Sequence, residues 1–143
     1  MRTSSFVLAA YLLLLLTLGA CTTTNDFVRS GSEGTGRVYP VTEKQAWDIT
    51  KAVFLWEGAD TLKESRKRDY VVATIGTGFF SYDAAMCAWI DPMDSEDTMV
   101  TVATKHKDLT KATTFTESTF YWRFSQAVDI VRAGKPLPEA PPD

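Results

Sequence analysis

The chain reads as an α+β domain: an antiparallel β-sheet of about four to five strands with two helices packed on one face, in the order β-α-β-β-β-β-α. Two observations predict this. Residues 42–58 and 116–134 each carry apolar residues at helical spacing between a start signal and a stop signal. Between them lie four short runs rich in β-branched and aromatic residues, separated by turn-like sequence.

Each element has a local reason. RVYPV, Arg37 to Val41, reads as a short edge strand, because Pro40 has no amide to give to a ladder and belongs at an end. Thr42-Glu43-Lys44-Gln45 fits a capping box, in which the Thr42 hydroxyl takes a free helix amide and Gln45 reaches back. The helix that follows presents Ala46, Trp47, Ile49, Val53, Phe54 and Trp56 on one broad face, and Gly58 suits a left-handed stop. TLKES (Thr61 to Ser65), YVVATI (Tyr70 to Ile75), AMCAWI (Ala85 to Ile90) and TMVTVATK (Thr98 to Lys105) then read as an antiparallel meander. In the last helix, from about Thr116 to Ala133, Phe120, Phe124, Ala127, Val128 and Val131 form a stripe that Gly134 and Pro136 end.

A chain of 143 residues suits one domain with a sizeable core. The first 20 residues stand apart from it. They have a basic start at Arg2, an uncharged apolar run from Phe6 to Leu18 and small residues at Gly19 and Ala20, the pattern of a secretory signal too short for a membrane span. The rest carries 14 Lys and Arg against 18 Asp and Glu, a net of −4. That balance argues against nucleic acid as a partner, since phosphate affinity rests on a basic surplus. Residues 21–35 are rich in Thr, Ser and Gly and read as a flexible tether spanning roughly 20 Å. The folded domain is expected over residues 36–134, with a loose Pro-rich tail over 135–143.

Leu18-Gly19-Ala20-Cys21 resembles the lipobox of bacterial lipoproteins. The resemblance implies that Cys21 carries lipid after the leader is removed. Two or more acyl chains, at about 0.8 kcal/mol per buried methylene, hold a protein firmly where one holds it marginally. Thr22 in place of the Asp that retains many such proteins at the inner membrane implies the outer membrane, facing the periplasm. GRVYPVTEKQAWDITKAV and the MVTVAT strand are also similar to a family of small uncharacterised bacterial envelope lipoproteins and, more distantly, to the two-layer domains of the BamC lipoproteins of the outer-membrane β-barrel assembly machine. With Cys21 lipidated, Cys87 has no partner in the chain and reads as a buried, inert thiol.

In a meander alternate turns share one end of the sheet, so the basic turn Arg66 to Asp69 and the acidic turn Asp91 to Asp97 should lie together. They read as solvated turns that could pair across the rim. The sharper alternatives are calcium at Asp91, Asp94, Glu96 and Asp97, and anionic lipid at Lys63, Arg66, Lys67 and Arg68. At the opposite end Phe79, Phe80 and Tyr82 crowd a Gly-bounded loop, where large apolar groups either cap the core or meet a partner. AMCAWI is apolar on both alternating sets. A two-layer fold buries only one of them, which leaves Trp89 with Ala85 and Cys87 as a second candidate contact.

The chemistry of catalysis is thinly represented. His106, the one histidine, sits between Lys105 and Lys107, and no G-x-S-x-G element is present. One histidine and one remaining cysteine fall short of a structural zinc set, and Gly76-Thr77-Gly78 lacks the rest of a dinucleotide fingerprint. The expectation is therefore a membrane-anchored domain without enzymatic activity, metal or cofactor. It would bind an envelope protein or itself through Phe79, Phe80, Tyr82 and Trp89. The alternative is a carrier or sensor of a small apolar ligand held between helices and sheet.

Overall fold

A computed structural model of the chain describes residues 34–76, 83–106 and 115–142. Seven elements follow in the predicted order: β1 (Thr35–Tyr39), α1 (Glu43–Trp56), β2 (Thr61–Ser65), β3 (Tyr70–Ile75), β4 (Ala84–Pro92), β5 (Thr98–His106) and α2 (Glu117–Arg132). The strands form one open antiparallel sheet in the order β1-β5-β4-β3-β2. β2 to β5 are the expected meander, and β1 closes the far edge beside β5.

The helices begin and end where local chemistry dictates. Thr42 caps α1 by accepting from the Gln45 amide at 3.3 Å, while the Gln45 side chain accepts from the Thr42 amide at 2.9 Å. At the other end Gly58, with φ of +88°, allows the Ala59 amide to reach back to the Phe54 carbonyl. Thr116 caps α2, and Gly134 with φ of +70° ends it by the same backbone geometry, Lys135 donating to the Ile130 carbonyl.

β1 lies two residues ahead of its expected position. Pro40 offers no amide, so the ladder stops at Tyr39. Upstream it extends because Gly34 and Gly36 lie tight on β5: a Cβ at Gly34 would sit 2.5 Å from the Val102 carbonyl oxygen, and one at Gly36 2.9 Å from Thr101 Oγ1. Glycines that look like tether sequence are there for close backbone approach.

The two helices cover one face of the sheet. Val71 and Ala73 of β3, Met86, Ala88 and Ile90 of β4, and Val100 and Val102 of β5 point into the layer between them. That layer is filled by Trp47 and Phe54 of α1, Phe115, and Phe120 and Phe124 of α2, all fully buried. Phe120 links both helices, its ring centroid 5.1 Å from Phe54 and 5.6 Å from Phe124. Contacts at this spacing add to the burial of large apolar area.

The Pro-rich segment touches the helices at a few points. Residues 135, 136 and 138–141 are exposed, while Leu137 packs on the core and Trp56 Nε1 donates to the Pro138 carbonyl at 3.1 Å. Composition signalled disorder, but an indole 82 residues upstream supplies the anchor. No helix among the described residues is long and apolar enough to cross a membrane.

Candidate functional site

Side chains alternate across a strand, so the same register that fills the core assigns a second set of residues to the helix-free face. One row crosses the whole sheet: Ser65 opposite Tyr70, Tyr70 opposite Trp89, Trp89 opposite Thr101 and Thr101 opposite Gly36. The next row runs Lys63, Val72, Cys87, Ala103, and a third runs Asp91, Met99, Val38. Tyr70, Ala85 and Cys87 form a separate small cluster, with Val72 and Trp89 half-buried against it. Tyr70, Ala85, Cys87 and Thr101 are buried within the chain itself, and the exposed apolar side chain of these rows is Val38 at the β1 edge, 56% exposed. The rim of the face is polar: Lys63 midway along the β2 edge, Asp91 near the end of β4, and the hydroxyls of Thr61 and Thr74 paired at 2.5 Å.

Trp89, singled out from the sequence, therefore stands at the centre of the tyrosine–tryptophan row. Cys21, Phe79, Phe80 and Tyr82 lie outside the described residues. Tyr70, Met99 and Val38 belong to the same surface as Trp89, although the sequence reading did not include them. The signal was present in the alternation of YVVATI, but joining it to AMCAWI requires the register between β3 and β4.

Burial pushes the Cys87 thiol up to about 12, so the thiolate that nucleophilic chemistry needs is suppressed. His106 ends β5 opposite Ala84, away from the Tyr70–Trp89 row. Among the described residues no group of three or more His, Cys, Asp or Glu converges on a point.

The two charged turns do share one end of the sheet, where the Ile90 amide donates to the Asp69 carbonyl at 2.8 Å. Their side chains follow other partners. Arg66 pairs with Glu64 at 3.7 Å and lies 3.9 Å over the Trp47 ring, shielding the core indole. Asp91 is instead raised, by partial burial and then by the charge of Asp69. In the acidic turn Asp94 Oδ1 accepts from the amides of Glu96 and Asp97 at 2.7 and 2.8 Å, which holds its carboxyl below the usual range. The Asp94 carboxylate is thus committed to closing its own turn.

No family model matches the chain, and no curated protein matches it. Among solved structures, an uncharacterised protein of Bacillus thuringiensis aligns with a TM-score of 0.40 at 10% identity, covering 68% of this chain and 95% of that one. A conserved protein of Geobacillus kaustophilus aligns with a TM-score of 0.34 at 10% identity, covering 66% and 92%.

Proposed function

We propose that this chain is a bacterial envelope lipoprotein, anchored through lipid on Cys21 and probing the periplasmic face of the outer membrane with a small binding domain. The domain works without catalysis. Its helix-free sheet face holds another envelope protein or a second copy. The observation that carries the reading is the half-buried Trp89 and the exposed Val38, on a face to which neither helix contributes. An apolar sheet face rimmed by polar groups is the ordinary form of a protein contact. The lipobox-like Leu18-Gly19-Ala20-Cys21 and the tether that follows support the anchored location.

The layer between helices and sheet is packed with Trp47, Phe54, Phe115, Phe120 and Phe124, which ranks the apolar-ligand carrier second. The buried Cys87 and the single histidine supply little for an enzyme.

Two linked measurements test the proposal in intact cells. A photo-crosslinking residue at position 89 should trap one envelope protein, or a dimer of this chain, and Lys63→Glu at the rim should alter the yield. A strictly monomeric, uncrosslinked domain at native abundance defeats the binding reading. Separately, Cys21→Ser should abolish fatty-acid labelling and leader removal; persistent labelling moves the anchor elsewhere.

A further inference from the structure

The helix layer has an outer side, turned away from the sheet, and two large apolar side chains stand on it. Leu55 of α1 is 56% exposed and Trp122 of α2 is 53% exposed. At about 3.6 residues per turn, each falls opposite the buried stripe of its own helix, Ile49, Val53 and Phe54 in α1 and Phe120, Phe124 and Ala127 in α2. The Glu57–Arg123 ion pair at 3.7 Å ties the end of α1 to the second turn of α2. Leu55 lies two residues before Glu57 and Trp122 one before Arg123, so at about 1.5 Å per residue they stand at nearly one level on adjacent helices.

Exposed apolar residues are ordinary on a protein surface, and the place where the chain enters the fold is what gives these two a meaning. Tyr121, the neighbour of Trp122, donates its hydroxyl to the carbonyl of Thr35, the first residue of β1. The segment coming from Cys21 therefore joins the fold beside the same turn of α2. Residues 22–33 separate Cys21 from Gly34, and a stretch of that length and composition spans roughly 20 Å on average.

With Cys21 held in the bilayer, this end of the helix layer meets the lipid surface at an effective concentration of about millimolar. A contact too weak to recruit a free protein still orients a tethered one. Tryptophan favours the boundary between hydrocarbon and water, and leucine the hydrocarbon beside it. We propose that Leu55 and Trp122 form a membrane-resting patch, on which the domain lies with the outer side of its helix layer against the bilayer. The inference rests on the Cys21 anchor proposed above. It gives the domain a direction: the helices cover one face of the sheet only, so the face of Trp89 and Val38 turns away from the lipid, where another protein can reach it.

The test uses the mature lipidated chain in phosphatidylcholine vesicles. Flotation with the vesicles first reports the anchor. Phosphatidylcholine brominated along its acyl chains should then quench part of the tryptophan emission. Trp122→Phe should remove most of the quenched part, and Trp89→Phe should leave it in place. Leu55→Gln should weaken the quenching with circular dichroism unchanged, since its side chain is exposed. A chain that floats but escapes quenching, or whose quenching survives Trp122→Phe, overturns the resting patch and leaves the anchor standing. A chain that fails to float removes the anchor and this inference with it. Unquenched chains that crosslink to one another through position 122 assign the pair to a second copy, which also overturns the proposal.

Discussion

Tyr121 shows how one side chain can fix a sheet edge. Its hydroxyl accepts from the Val102 amide at 3.0 Å and donates to the Thr35 carbonyl, bridging two residues that stand opposite each other in β5 and β1. The Arg37 guanidinium lies 4.3 Å over the same ring. Burial is the main reason its phenol is pushed up to about 12, as it is for the Cys87 thiol. Both groups stay protonated in the folded state where the unfolded chain, with ordinary values of 9.0 and 10.0, begins to ionise. The folded state then binds more protons than the unfolded one, so stability falls as pH rises through that window. Urea unfolding should show full stability near about pH 8 and a steady loss towards about pH 12. Cys87→Ala should remove the earlier part of the decline, and an unchanged slope would place the thiol in water.

At the scale of elements, the sequence was most legible where a helix starts or stops. The Thr42–Gln45 box and the glycines at 58 and 134 occur as expected, because capping is decided within a few residues. Thr42→Ala should cost about 1 kcal/mol, read as a lower urea midpoint with an unchanged denaturant slope. The three meander strands from Thr61, Tyr70 and Thr98 also begin where β-branched runs begin. Less legible were features whose cause lies far along the chain. Gly34 and Gly36 resemble linker residues until β5 is placed against them. Residues 135–142 resemble a loose tail until Trp56 and Arg123 are seen to hold their carbonyls. Likewise Trp89 was visible as an extra apolar residue, whereas its union with Tyr70 needed the register of two strands.

For the molecule as a whole, one aromatic chain holds the two layers together. Tyr39 of the edge strand stacks on Phe124 with centroids 4.5 Å apart, Phe124 meets Phe120, and Phe120 meets Phe54 on the other helix. Phe120→Ala leaves a cavity at the centre of that chain and should cost about 3–5 kcal/mol. Because both helices and the sheet share the contact, helix circular dichroism and tryptophan fluorescence should lose their native signals in one coincident transition. Separate transitions would mean that helices and sheet unfold independently.

The described fold begins at the edge strand β1, whose opening residues meet β5 through the Tyr121 bridge. A pull on the chain ahead of residue 34 would load the Thr35–Val102 end of the β1–β5 ladder, where Gly34 lies tight on β5 and Tyr121 joins the two strands. There the phenol adds a side-chain clasp to the β1–β5 ladder at the end where peeling of the edge strand would start.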